Sequence, residues 1–496
     1  MIYKIIILNS LTKGAMKKYI LYLSFCSLIF INIINTLEQD FFKNILQNKK
    51  SLKHKNLISK NQKNETVESI LEKLEQEDTQ FVSFTFVNLF GDLKEIIVPF
   101  DKAKSAFING LTFDSSSIPG YFSTEESDMI LKPDLSTLRF LPWTSDLHKT
   151  AWVICDIYKD RNTLYESDSR YILKKAIKEL NLINCKCNIG VELEFFLYKN
   201  SEPLDNKKYI DPDEIYSRQQ ENHIIIHTLK GMGVDVEKFH HEVAPGQYEF
   251  SIKYDNALEI ADQVIISKYA LKVLANQLGY QVIFLPKPIY GKNGSAMHIH
   301  YSIYDNLENK NAFYSCDNDY NFSDLGKKFL AGNLSYIKEF SAILNPLINS
   351  YKRLVPDFEA PVYICWGLKN RSALFRLPLM HDEPDKAMRI EIRSPDVNCN
   401  PYLAFSAIIK TGLKGIKEDL ILNKPITQNL FKLDVSKIRD MNIKVLPKNL
   451  SQALDVMQDS QMVKDLLTPK GFEEYIKVKR QECANFNSAV TNWELN

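Results

Sequence analysis

Four short segments share an unusual alternation. Val191-Glu192-Leu193-Glu194-Phe195 alternates two carboxylates with apolar residues, and Met297-His298-Ile299-His300-Tyr301 does the same with two imidazoles. Arg389-Ile390-Glu391-Ile392-Arg393 sets a carboxylate between two guanidinium groups, and Ala373-Leu374-Phe375-Arg376-Leu377 carries a single Arg. Side chains at i and i+2 of a strand share one face. Each segment therefore predicts a strand with a buried apolar face and a chemically loaded face opposite. A solvated sheet face favours mixtures of Lys, Thr and Glu. A concentration of Glu, His and Arg predicts a lined cavity instead. A fifth segment, from His240 to Glu249, sets Glu242 and Glu249 across a Pro245-Gly246 turn that can aim both into the same cavity.

The candidate ligands are Glu192, Glu194, Glu242, Glu249, Glu391 and His298. Grouped carboxylates raise one another's pKa unless a cation sits between them. An oxygen-rich donor set selects Mg2+ or Mn2+ over zinc. Two such ions can clamp phosphate oxygens during a transfer. Arg353, Arg371, Arg376 and Arg393 offer planar donors for carboxylate and phosphate. Cations and arginines together point to phosphoryl transfer onto an anionic acceptor.

These strands need a frame. Residues 43–66 are rich in Lys and Asn and read as a solvated linker. Helical periodicity begins at VESILEKLEQED, and FVSFTFVNLFGDLKEIIVPF predicts a hairpin around Gly91-Asp92. Further short strands run as far as AWVICDIY, giving a small β-rich domain. Helices are predicted over 167–180, with a Ser/Asp cap, and over 213–232, 257–278, 325–344, 404–420 and 473–487. Helices alternating with short strands make this second domain α+β.

A length of 496 residues exceeds one compact core and predicts two domains plus an extension. Lys+Arg 62 against Asp+Glu 61 excludes charge-driven nucleic-acid binding. The 8 cysteines are scattered, and Cys185 and Cys187 have no second pair at zinc spacing. Neither a structural zinc site nor a disulfide framework is expected, so the catalytic part reads as reduced and intracellular. At the N-terminus, Lys13, Lys17 and Lys18 precede an uncharged apolar run over 19–37. That is the layout of a signal peptide or anchor. It is marginal as a membrane span and is interrupted by Asn32 and Asn35.

From about residue 67 to the C-terminus the chain resembles the type I glutamine synthetases. The resemblance rests on eight blocks in family order: FDSSSIPGY, EESDMILKPD, VELEFF, HHEVAPGQYE, LPKPIYGKNGSAMHIH, NPLINSYKRLVPDFEAP, NRSALFRLP and RIEIRSPD. It implies a β-grasp-like domain over 67–160, behind the extension 1–66. A catalytic α+β domain would follow over 161–496, with a curved antiparallel sheet lining the active site. Two Mg2+ or Mn2+ ions per site are implied, one held by Glu194, Glu242 and Glu249, the other by Glu192, His298 and Glu391. ATP would be the co-substrate, with Glu237, His300, Ser302 and Lys386 at nucleotide-binding positions. Arg371 and Arg376 would contact the transferring phosphate. Asn293, Gly294, Arg353 and Arg393 would bind glutamate. Asp114 would receive ammonium, Ser117 would be a further substrate-binding position in the small domain, and Glu359 on a flap would shield the intermediate and accept a later proton. The family also implies no nucleic-acid partner, a cytoplasmic location and a dodecamer of two stacked hexameric rings with sites between subunits. The N-terminal run leaves a secretory or organelle route as the alternative.

Some positions depart from the family pattern. Ser115 and Ala296 stand where Gly is usual, and Asp357 stands where Gly is common. Phe431 replaces a Tyr that some members modify by adenylylation, so that control is impossible there. Ser123 replaces an Arg associated with glutamine feedback. Three rival readings differ at defined residues. A γ-glutamyl-amine or polyamine ligase of the same fold would need the Asp114 corner opened. A non-catalytic ring-forming homologue would lose metal ligands. A guanidino kinase would need neither Asp114 nor the Glu359 flap.

Overall fold

A computed structural model describes residues 65–121, 128–144, 146–356, 360–378, 383–492 and 494. Helix α1 (Val67–Gln76) opens the described chain, with the Thr66 hydroxyl accepting from Ser69 N as its cap. β1 (Phe81–Val87) and β2 (Leu93–Pro99) form the expected antiparallel hairpin. Gly91 turns it at φ +89°, where an L side chain is strained. α2 (Phe100–Asn109) buries Ala103, Ala106 and Phe107 in the core of the small sheet. β3 (Leu111–Asp114), β4 (Asp128–Pro133), β5 (Arg139–Phe140) and β6 (Thr150–Tyr158) complete that sheet in the order β2-β1-β6-β4-β3, with β5 beside β6. β1 runs parallel to β6, and both are central and almost wholly buried. Burial on both faces is why their sequences read as apolar runs without clean alternation.

The catalytic part is built on a curved ten-stranded sheet. Its strands are β7 (Cys185–Lys199), β8 (Glu202–Pro203), β9 (Val236–His241), β10 (Gln247–Asn256), β11 (Gln281–Ile283), β12 (Met297–Asp305) and β13 (Lys310–Asn311), followed after β14 by β15 (Trp366–Leu368), β16 (Phe375–Leu377) and β17 (Ile390–Ile392). The order is β15-β16-β17-β12-β7-β10-β9. β14 (Tyr363–Ile364) lies outside it and pairs with β18 (Lys444–Val445). Helices α3 (Ser169–Leu182), α4 (Tyr216–Gly231), α5 (Ala257–Gln277), α6 (Asp324–Tyr336), α7 (Pro401–Lys417) and α8 (Pro469–Ser488) supply the rest of one continuous apolar core. Val191, Leu193, Phe195, Met297, Ile299, Ile390 and Ile392 all enter that core. Strand alternation then leaves the intervening polar residues on the opposite face.

Two helix expectations change. The stretch 325–344 breaks into α6 and a short turn of helix at Ser341–Leu344, because Phe340 leaves helical geometry to pack fully inside. The helix expected from 213 starts at Tyr216, since the Asp213 carboxylate accepts from Lys207 and Asn222 rather than capping. No helix among the described residues is long and apolar enough to cross a membrane. The basic and apolar stretch 13–37 lies outside the described residues.

One buried guanidinium ties the small sheet to the helices of the catalytic part. Arg170 of α3 donates through Nε and Nη2 to Asp262 of α5 at 3.0 and 2.8 Å, and through Nη1 to Asp156 of β6 at 2.8 Å. Its Nη2 also lies 2.9 Å from Asp134, just past β4. Lys174 adds a second cation to Asp156, and the Tyr402 hydroxyl donates to Asp262 at 2.6 Å. Removing Arg170 leaves carboxylates buried without their counter-charge, which costs about 3–5 kcal/mol. Arg170→Met is expected to lower unfolding free energy by that order in a denaturant titration. A loss within experimental error would show that the network contributes no net stability.

Candidate active site

β7 presents Glu192 and Glu194 on one face, and its neighbours complete the set. Register places His298 of β12 opposite Glu192, and Glu249 of β10 opposite Glu194. Glu391 of β17 lies opposite His300 of β12 and Arg376 of β16. The β9–β10 turn, closed by Glu242 N donating to Gln247 O at 2.7 Å, brings Glu242 beside this row. Residues from β7, β10, β12, β17 and one turn thus converge.

The distances are short. His298 Nδ1 lies 3.1 Å from Glu192 Oε2, and His300 Nε2 lies 3.2 Å from Glu192 Oε1. Ligand-capable atoms of Glu192, His298 and Glu391 lie within 4.8 Å of one another. The same spacing holds for Glu194, Glu249 and His298, and for His240, Glu242 and Glu249. The first cluster is the expected group. The expected partners Glu194, Glu242 and Glu249 are linked through Glu249, which belongs to both remaining clusters, while Glu242 reaches towards His240.

Charge shows what the cleft lacks. Burial and the nearby charges of Glu242 and Glu249 push the Glu194 carboxyl well above the usual carboxylate range. Burial also opposes a charge on Glu192, but the His298 hydrogen bond and the adjacent His300 imidazole hold it well below that range. For Glu391, burial is outweighed by Arg393, His300, His298 and Arg376, which bring its carboxyl down to about 2. Glu194 and Glu249 face each other directly across two strands, a destabilising pair without a cation between them. The donor set is carboxylate-rich with single imidazoles, so the residues present fit hard divalent cations.

The arginines line the same cleft. Arg376 Nη1 donates to Glu391 at 2.5 Å and Arg393 Nη1 donates at 2.7 Å. The Nε of each is buried with no partner among the described residues, leaving donor capacity for an anion. Arg353 is pinned by bonds from its terminal nitrogens to Ser394 O (2.9 Å) and Arg393 O (3.0 Å). Arg371 is exposed at the rim, in a turn held by Asn370 Oδ1 accepting from Ser372 N and Oγ. Gly294 sits so close to Pro286 O that a Cβ would lie 2.0 Å away, and its carbonyl accepts from Gln247 Nε2. Asn293 is half-buried beside it. Ser302 lies on β12, four residues after His298, and Glu237 is exposed on β9. Lys386 is exposed and paired with Glu383. Asp114 ends β3 in the small sheet, exposed, where the Ser116 and Ser117 hydroxyls donate to it at 2.6 and 3.3 Å. Those bonds, the Ser116 hydroxyl foremost, lower its pKa. Ser123, Asp357 and Glu359 lie outside the described residues.

Among the departures, Ala296 is fully accommodated. Its methyl is buried and its N–H donates to Glu194 Oε2 at 2.9 Å. The Ser115 hydroxyl is buried with no partner among the described residues. The structure adds residues that were not among the expected site residues. Gln247 donates to Glu194 Oε2 at 3.0 Å. Arg389 approaches His300 Nδ1 at 3.4 Å, and Tyr209 packs edge-on to His240 at 5.6 Å. Arg389 belongs to the Arg-x-Glu-x-Arg alternation, which by itself gives it no role. Tyr209 stands in a loop that carries no sequence signal.

A curved sheet, antiparallel but for its β15–β16 pair and walled by carboxylates and guanidinium groups, with a small β-grasp sheet alongside, marks the class: a two-domain ligase. Residues 166–496 match the family described as glutamine synthetase, catalytic domain, and residues 78–160 match glutamine synthetase, beta-Grasp domain. A glutamine synthetase of Methanocaldococcus jannaschii is 41% identical over 86% of this chain and 97% of its own length. One from Thermotoga maritima is 39% identical over 87% and 98%. Two solved structures, a GmaS/ADP complex and apo GmaS without ligand, have TM-scores of 0.77 and 0.78 at 26% and 27% identity. Each covers 86% of this chain, and 97% and 98% of its own. The chain belongs to the glutamine synthetase family.

A cation entering beside Glu194 must displace the proton that burial and its acidic neighbours favour. Divalent-ion affinity is therefore expected to rise with pH as that carboxyl ionises. Glu194→Gln is expected to flatten the rise. Mn2+ titrations at several pH values check this, and a wild-type affinity independent of pH would contradict it.

Proposed function

We propose that this chain joins L-glutamate to ammonia, driven by ATP, through a γ-glutamyl phosphate intermediate. The observation that carries the reading is the convergence of five Glu and His298 on one sheet face walled by arginines. Residues Glu194, Glu242 and Glu249 would hold one divalent ion and Glu192, His298 and Glu391 the second. Bound there, Mg2+ or Mn2+ would neutralise phosphate charge and polarise the transferring group.

The protein's own groups supply the rest. Arg353 and Arg393, with Asn293 and Gly294, orient glutamate so that a γ-carboxylate oxygen faces the terminal phosphorus of ATP. Glu237, His300, Ser302 and Lys386 hold the nucleotide. That oxygen attacks, ADP leaves, and Arg371 and Arg376 bear the charge on the phosphoryl oxygens. Asp114, assisted by Ser117, attracts ammonium and favours its loss of a proton. The freed ammonia attacks the acyl carbon and phosphate departs. Glu359 would close over the site, exclude water and accept the surplus proton.

Asp114 belongs to the small sheet, and its bonds are to its own turn. We read it as completing a neighbouring subunit's cleft in a dodecamer of two stacked rings. A cytoplasmic location is proposed on family likeness; imaging the full chain beside one starting at Gln39 tests it.

Phosphate release from ATP is expected at full rate only with glutamate, ammonium and Mg2+ all present. Equal turnover with putrescine replacing ammonium would favour a γ-glutamyl-amine ligase. Asp114→Ala is expected to raise the ammonium concentration needed for half-maximal rate by tenfold or more, of the order of one lost charge interaction. An unchanged ammonium dependence would remove Asp114 from the mechanism.

A further inference from the structure

We propose that Asp205, a residue outside the cleft, positions the part of the cation site that Glu242 and Glu249 supply. The inference rests on the reading of those carboxylates as metal ligands. Asp205 follows β8 by two residues, and its side chain is 16% exposed. Its Oδ1 accepts from Lys207 N at 3.2 Å, Gly246 N at 3.1 Å and His241 Nε2 at 2.8 Å. Its Oδ2 accepts from the Tyr248 hydroxyl at 2.7 Å. One carboxylate thus bonds the residue before Glu242, the residue before Glu249 and the turn between them.

The geometry gives this hub leverage. His241 and Tyr248 are a cross-strand pair with ring centroids 4.9 Å apart, and Asp205 bonds both. The other His241 nitrogen, Nδ1, lies 2.6 Å from the Glu242 carbonyl, so the imidazole spans from Asp205 to the backbone of a candidate ligand. Gly246 has φ +64°, and a Cβ there would lie 2.8 Å from Leu197 O and 2.9 Å from Leu204 N. The turn is therefore pressed against the end of β7 with no room to slide. Successive strand residues point to opposite faces, so Tyr248 points away from the side to which Glu249 points. Asp205 accordingly acts through the backbone spacing of Glu242 and Glu249 and does not touch the cation. Partners of this kind alter metal affinity by about 10–100-fold when removed.

The test is Mn2+ binding to the full-length protein without nucleotide, followed by electron paramagnetic resonance, beside thermal melting of each variant. Wild type is expected to bind two Mn2+ ions. Asp205→Ala is expected to weaken one of them by about tenfold or more and leave the other within about twofold. Asp205→Asn, which keeps an acceptor oxygen, should recover part of the loss. Tyr248→Phe removes a single donor, and should weaken the same ion by a smaller factor. A purely structural anchor would lower the melting point of these variants while leaving both Mn2+ affinities at wild-type values, and that result overturns the proposal. If Asp205→Ala does not fold, unchanged Mn2+ affinity in Tyr248→Phe and Asp205→Asn overturns it. Failure of wild type to bind two Mn2+ ions would instead remove the reading of the site on which the proposal rests.

Discussion

Carboxylates held face to face in a buried cleft are the constraint on which the rest of this structure depends. Glu194 and Glu249 meet across β7 and β10, and Glu242 adds its charge from the adjoining turn. In water such groups would separate. Here the strands are fixed by an apolar core on their other face, so separation would require breaking the sheet. That repulsion favours a proton on Glu194, and a divalent cation bound there would relieve it in the proton's place.

The remaining charges are arranged around that need. Glu391 lies between Arg376 and Arg393, and Glu192 lies beside His298 and His300. One half of the cleft is thus internally compensated and the other is left short of positive charge. Arg376 and Arg393 also keep buried Nε donors without partners among the described residues. An anionic substrate entering beside them would meet donors already fixed in direction, with little reorganisation to perform.

Rigidity at the cleft has two sources. Within the catalytic sheet, the β9–β10 turn is gripped from one side by Gln247, bonded to Glu194 and Gly294, and from the other by Asp205. Between the sheets, Arg170 gathers Asp134, Asp156 and Asp262 into one buried network. That network holds the small sheet, and Asp114 with it, in a set relation to the catalytic helices. A residue of the small sheet can then serve a cleft only where this fixed geometry brings it to one.

Strand alternation, the hairpin at Gly91 and the donor types in the cleft are legible in the sequence because they are local. A period of two on VELEF or MHIHY follows from backbone geometry alone, and it already separates an apolar face from a charged one. The eight family blocks made the ligase assignment legible in the same way. Register is different. It depends on how strands distant in the chain pack, so the sequence could not say that Glu249 would lie opposite Glu194, or that Glu249 would join two clusters. The break at Phe340, the Arg170 network and the Asp205 hub were equally hidden. Each depends on contacts between residues far apart in sequence, whose energies exist only once the core has brought them together.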